Sequence, residues 1–179
     1  LDVIHFLLHF EITEDIESRI AEDFAALGIV PDIVSAPASG GGLMAGIALA
    51  TKAKFPDTGL VTVEPYGFDD HARSFSAGER QPHRAIGRTI CDALMASIPG
   101  EITFAVNQKL GVQGVTATDD EVAKAVAFAF RELKLVVEPG GAVALAALLA
   151  GHIDARGKTI AIVLSGGNVD ADLYARLIQ

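Results

Sequence analysis

The residues best suited to chemistry are Ser39, Gly40, Gly41, Gly42 and Leu43. They stand between a short apolar, β-branched run at 33–36 and an Ala-rich stretch at 43–51 with good helix propensity. A strand, a glycine turn and a helix in that order make a ready anion site. Glycines let the backbone approach a ligand, and the unpaired N–H groups of the helix N-terminus point at it. Ser39 adds a hydroxyl beside them. The other reading is a tight strand-to-helix connection that binds nothing, and the glycines alone do not separate the two. The pattern is not a P-loop, having no Gly-Lys-Ser/Thr, nor a dinucleotide fingerprint. Three further places carry candidate groups. Glu64 and Asp70 flank a short loop containing Gly67, which on spacing alone reads as a solvated acidic loop. Glu138 precedes Pro139-Gly140-Gly141, where a carboxylate suits the start of a helix. Ser165 runs into Gly166-Gly167-Asn168, where a strand-end turn residue is the plain alternative. His5 and His9 lie at helical spacing, but with no acidic or thiol partner nearby they read as ordinary residues rather than a metal pair.

The elements that must position these groups follow from apolar periodicity and turn residues. Residues 1–10 read as a strand or an apolar tail. An amphipathic helix is expected over 13–27, capped by Thr13, with Glu14, Asp15 and Glu17 near its start and Gly28 at its end. Strands are expected at 33–36, 60–63, 112–115 and 159–164. Helices are expected at 43–51, 68–77, 119–133, 142–150 and 169–178, with a polar loop over 78–87. No element is assigned between residues 95 and 111. The strands are apolar throughout rather than alternating and are separated by helices. This predicts an α/β fold of three layers, a mostly parallel sheet with helices on both faces. In such sheets ligands collect beyond the carboxyl ends of the strands. Residues 39–43, Glu64 and residues 165–168 all fall at such ends.

The chain has 179 residues, enough for one domain with a sizeable core, and half of them are hydrophobic. A net charge of −9 argues against nucleic acid or an anionic membrane as a partner. With Cys91 alone there is no disulfide framework, which fits a reducing, cytoplasmic setting. No apolar run reaches transmembrane length, and no basic n-region or cleavage site frames residues 4–10 as a signal peptide.

With these stretches in hand, the chain resembles the pyridoxal-phosphate enzymes of the tryptophan-synthase-β type, within them most closely the threonine/serine dehydratase and serine racemase group. The matching pieces are Ser39-Gly40-Gly41-Gly42-Leu43-Met44-Ala45-Gly46, Glu64-Pro65 with Phe68-Asp69-Asp70, and Thr89-Ile90-Cys91-Asp92-Ala93-Leu94. Val137-Glu138-Pro139-Gly140-Gly141-Ala142 and Leu164-Ser165-Gly166-Gly167-Asn168-Val169 complete the set. The family usually carries a further glycine where Ser39 stands, a mild change because backbone amides do the holding. The resemblance implies that Ser39, Gly40, Gly41, Gly42 and Leu43 cradle the phosphate of pyridoxal 5'-phosphate. It also implies that Ser165 hydrogen-bonds the pyridine nitrogen and that Glu138 sits near the ring. In the serine-racemase-like branch a glutamate, a backbone carbonyl and an aspartate bind a divalent cation. Their counterparts here are Glu64, Phe68 and Asp70, an all-oxygen set suited to Mg²⁺ or Ca²⁺.

The implied activity is that of an ammonia-lyase acting on a small amino acid, threonine or serine, to give a 2-oxo acid and ammonia. The resemblance covers residues 21–179, with 1–20 as an atypical leader, so the chain looks like the large-domain part of that fold truncated at its N-terminus. The family's Schiff-base lysine has no counterpart among Lys52, Lys54, Lys109, Lys124, Lys134 and Lys158. No catalytic residue is therefore assigned, and two readings stay open. One is a lyase complete only with its missing N-terminal half, the expected partners being a small amino-acid substrate and either a second copy of the chain or that missing half. The other is a non-catalytic phosphate- or ligand-binding module, or an inactive remnant.

Overall fold

Strands that are apolar on both sides need helices on both faces, and that requirement sets the architecture. The computed structural model describes residues 6–9, 16–84 and 87–179. The strands are β1 (Phe6–His9), β2 (Ile33–Pro37), β3 (Gly59–Pro65), β4 (Gln113–Ala117) and β5 (Ile160–Leu164). They form one parallel sheet in the order β1-β5-β2-β3-β4. The helices are α1 (Ile16–Ala26), α2 (Gly42–Lys54), α3 (Asp70–Ala77), α4 (Glu101–Lys109), α5 (Asp119–Phe128), α6 (Pro139–Leu149) and α7 (Ala171–Leu177).

Successive strand residues point to opposite faces, and this divides the interior into two cores. Val34, Ala36, Leu60, Ala161 and Val163 face α1 and α2, where they meet Ile20, Phe24, Met44 and Ile47. Val61, Val63, Ile160, Ile162 and Leu164 face the other way, against Val122 and Val126 of α5 and the whole of α6. Helix α6 is apolar all round and buried from Pro139 through Leu148, as a helix enclosed on every side must be. Truncating its Leu145 to alanine would cost about 2–5 kcal/mol, the usual range for a fully buried leucine.

Helix α5 starts on a reciprocal cap: Glu121 N–H donates to Thr118 Oγ1, and Thr118 N–H donates to Glu121 Oε2. It ends in a π-turn over Ala129–Leu133, where Lys134 takes a left-handed conformation. The sequence expectation of one helix to residue 133 is thus met by an α-helix that widens in its last turn. Helix α3 begins at Asp70 rather than 68, and α4 occupies a stretch to which the sequence assigned nothing. Helix α1 runs across residue 20, the expected edge of the leader. The expected cap at Thr13, Glu14 and Asp15 lies outside the described residues, as do His5 and part of the 78–87 loop.

The chain leaves β2 for α2 on one face and leaves β5 for α7, which packs on α5, on the other. Neighbouring strands whose helices depart to opposite faces open a crevice at their carboxyl ends. Among the described residues no helix is long and apolar enough to cross a membrane.

Candidate functional site

In that crevice lies a cavity of about 220 Å³, lined by residues 37–43 together with Leu94 and Ser165. The glycine turn ends β2 and starts α2. Gly41, at the N-cap, has φ 86°, a conformation that glycine adopts without strain. No side chain caps the helix, and no acidic residue sits in its first turn. Among the described residues, nothing accepts from the N–H groups of Gly40, Gly41, Gly42 or Leu43. Unpaired donors at a helix N-terminus, free of negative charge, are what an anion needs. Ser165, from the end of β5, brings a hydroxyl to the same cavity.

Glu138 is set beside this loop rather than in the lining. Its N–H donates to Gly166 O at 3.0 Å. A Cβ on Gly166 would lie 2.5 Å from Glu138 Oε1, so a side chain there would displace the Glu138 carboxylate. Burial raises the Glu138 carboxyl above its ordinary range and the charge of Asp92 adds to this, while the Asn168 backbone N–H draws it back. The 89–94 segment is held from outside: Asp119 accepts from Thr89 Oγ1 at 2.7 Å and from Ile90 N–H at 3.0 Å. It thereby seats Leu94 in the cavity wall.

Glu64 and Asp70 are not a solvated acidic pair. Both are buried. Glu64, at the end of β3, accepts from His71 N–H at 2.8 Å and Ala72 N–H at 2.9 Å, fastening the first turn of α3. Asp70 Oδ2 is buried with no N–H donor among the described residues. Burial is the main cause that raises both carboxyls, and a hydrogen bond shared with the Glu64 carboxyl holds the Asp70 carboxyl down in part. The charge of Asp70 raises Glu64 further, while the two N–H bonds to Glu64 offset part of this. Glu64, Asp70 and His71 offer donor atoms within 4.8 Å of one another. The orphaned oxygen and the hard carboxylate donors fit a divalent cation. The Phe68 side chain offers no donor, and its ring lies against His83 at 5.0 Å between centroids, so only its carbonyl can join such a set.

Residues 9–166 match the family model described as pyridoxal-phosphate dependent enzyme. The chain belongs to this family. It is 33% identical to L-threonine ammonia-lyase of Thermotoga maritima over 83% of its length, which is 36% of that protein. It is 40% identical to serine racemase of Arabidopsis thaliana over 78% of its length and 43% of the relative's. The crystal structure of a T.th. threonine deaminase superposes with a TM-score of 0.80 at 37% identity, covering 86% of this chain and 55% of that one. The fold is that of the tryptophan-synthase-β type. The chain spans less than half the length of the curated relatives it matches.

For a pyridoxal-phosphate enzyme the donor set fits the cofactor's phosphate, and Ser165 lines the same cavity. No lysine lines it. Lys52, on α2, donates instead to Pro56 O and Thr58 O, at the opposite end of the sheet. Sequence reasoning missed three residues that the fold brings to the glycine turn. They are His71 on α3 and Thr103 and Asn107 on α4, which bond Ser39 O, Gly40 O and Gly41 O respectively. For His71 the sequence held no signal, since its burial is visible only in the fold. The same holds for α4, whose apolar residues do not mark its buried side: Ile102 is 80% exposed and Asn107 is 0% exposed.

Proposed function

We propose that this chain is the cofactor-phosphate-binding part of an ammonia-lyase that releases ammonia from threonine or serine and leaves a 2-oxo acid. The observation that carries the reading is the cavity shared by the capless N-terminus of α2 and Ser165. When bound, pyridoxal 5'-phosphate supplies electron withdrawal at the substrate's α-carbon. The chain's own residues bind and orient. The N–H groups of Gly40, Gly41, Gly42 and Leu43, with the Ser39 hydroxyl, hold the phosphate, and Ser165 meets the pyridine nitrogen. A neutral hydroxyl leaves that nitrogen unprotonated, which suits loss of a hydroxyl without a long-lived carbanion. Glu138 holds the 165–168 loop through Gly166. Glu64, Asp70 and the Phe68 carbonyl hold Mg²⁺ or Ca²⁺ as a structural cation. The amine that carries the cofactor comes from a segment other than these 179 residues, because none of their lysines lines the cavity.

The test compares ammonia release from L-threonine and L-serine by the chain alone and by the chain mixed with a lysine-bearing N-terminal half taken from a relative, pyridoxal phosphate being present in both. Release only in the mixture supports the lyase reading. No release in either, with phosphate still bound, would favour a non-catalytic ligand-binding module, the reading that the lysine-free cavity itself suggests.

A further inference from the structure

Three consecutive carbonyls of the glycine turn each accept a side-chain hydrogen bond. His71 Nε2 donates to Ser39 O at 2.9 Å, Thr103 Oγ1 to Gly40 O at 2.6 Å and Asn107 Nδ2 to Gly41 O at 3.2 Å. The Gly100 N–H reinforces the middle one at 3.1 Å, and the Ala45 N–H, in the first bond of α2, reinforces Gly41 O at 3.0 Å. A carbonyl can only accept, so His71 carries its proton on Nε2. In a trans peptide the C=O of one residue and the N–H of the next lie in one plane and point opposite ways. Pinning Ser39 O, Gly40 O and Gly41 O toward α3 and α4 therefore turns the N–H groups of Gly40, Gly41 and Gly42 away from those helices, and these are the donors left without a partner.

We infer that His71, Thr103 and Asn107 are positioning residues that hold the glycine turn in its anion-binding form before any ligand arrives. The inference rests on the anion site proposed above and assigns its preorganisation to these residues.

Packing alone does not account for them. His71 and Asn107 are fully buried, yet His71 Nδ1 and Asn107 Oδ1 have no partner among the described residues. An apolar side chain of similar volume would fill either place without that desolvation cost. Gly41 is tied into the same arrangement, since a Cβ there would lie 2.5 Å from His71 Cε1. A turn free to rotate its peptide planes would have to order them on binding, and a turn already fixed avoids that cost.

The test titrates inorganic phosphate into the 179-residue chain by calorimetry, following the glycine amide resonances by NMR. Thr103→Val and Asn107→Leu should each weaken phosphate binding by about tenfold, the scale of one lost ordering contact. Neither should lower the melting temperature, and Thr103→Ser, which keeps the hydroxyl, should stay within about twofold of the parent chain. Parent-like affinity in both Thr103→Val and Asn107→Leu would overturn the positioning role while leaving the anion site standing. Equal weakening in Thr103→Ser and Thr103→Val, in step with melting temperature, would make the role merely structural and also overturn it. A parent chain that binds no phosphate, or that binds it without shifting the resonances of Gly40, Gly41 and Gly42, would overturn the anion site and this inference with it.

Discussion

The backbone N–H of His71 donates to Glu64 Oε1 at 2.8 Å, while the ring of the same residue reaches Ser39 O at 2.9 Å. One residue thus ties the buried carboxylate pair to the glycine turn. Burial lowers the pKa of the imidazole by removing solvation from its charged form, and the Ser39 carbonyl offsets part of this.

Mg²⁺ or Ca²⁺ should raise the melting temperature of the chain, because a ligand that binds only the native state stabilises it by mass action. Asp70→Asn should abolish the rise. It removes charge at the oxygen that has no N–H donor, yet leaves the Glu64 bonds to His71 and Ala72 in place. An equal rise in the parent and in Asp70→Asn would reject the site.

Gly41→Ala should destabilise the chain by about 1–3 kcal/mol, the usual cost of a side chain held at positive φ. The contact with His71 Cε1 at 2.5 Å adds to the strain. Urea denaturation measures the loss. Phosphate binding should fall in parallel, and Gly41→Val should remove it. A Gly41→Ala variant that binds phosphate as well as the parent would mean that the turn is only structural.

Cys91 is fully buried, and burial pushes its thiol up to about 12. It should resist thiol reagents in the native chain at neutral pH and react when urea unfolds it, since the thiolate is the reactive form. The pH dependence has a definite sign. From the ordinary value of 9.0 up to about 12 the unfolded thiol loses its proton and the folded one keeps it, so stability falls as pH rises through that window. Cys91→Ala should flatten this alkaline loss. Rapid labelling of the native chain at about pH 7 would contradict the burial.

Borohydride reduction of the chain with pyridoxal phosphate should trap no single stoichiometric lysine adduct, because the cavity wall contains no lysine. Peptide mapping checks this. One dominant labelled peptide carrying Lys52, Lys54, Lys109, Lys124, Lys134 or Lys158 would show that the carrier amine lies within these residues after all.

Local chemistry was enough to read the strand-turn-helix at the glycines and the fold class. Glycines between a β-branched run and an Ala-rich run specify a strand-turn-helix whatever surrounds them, and strands apolar on both faces demand helices on both faces. The sequence also placed residues 39–43, Glu64 and Ser165 at strand ends, since each follows its own strand directly. What only the tertiary structure decided depends on contacts across long chain separations. That β5 inserts beside β2, bringing Ser165 to the glycine turn, is a matter of strand order, and order leaves no mark on any one strand. The burial of Glu64 and Asp70, which spacing alone would have left in solvent, follows from α3 folding back over β3 and β4. Thr103 and Asn107 reach carbonyls more than sixty residues earlier in the chain. Polar side chains on a helix read as solvent-facing until a partner is seen to cover them, and here the partner is a backbone with no side chain of its own to announce it.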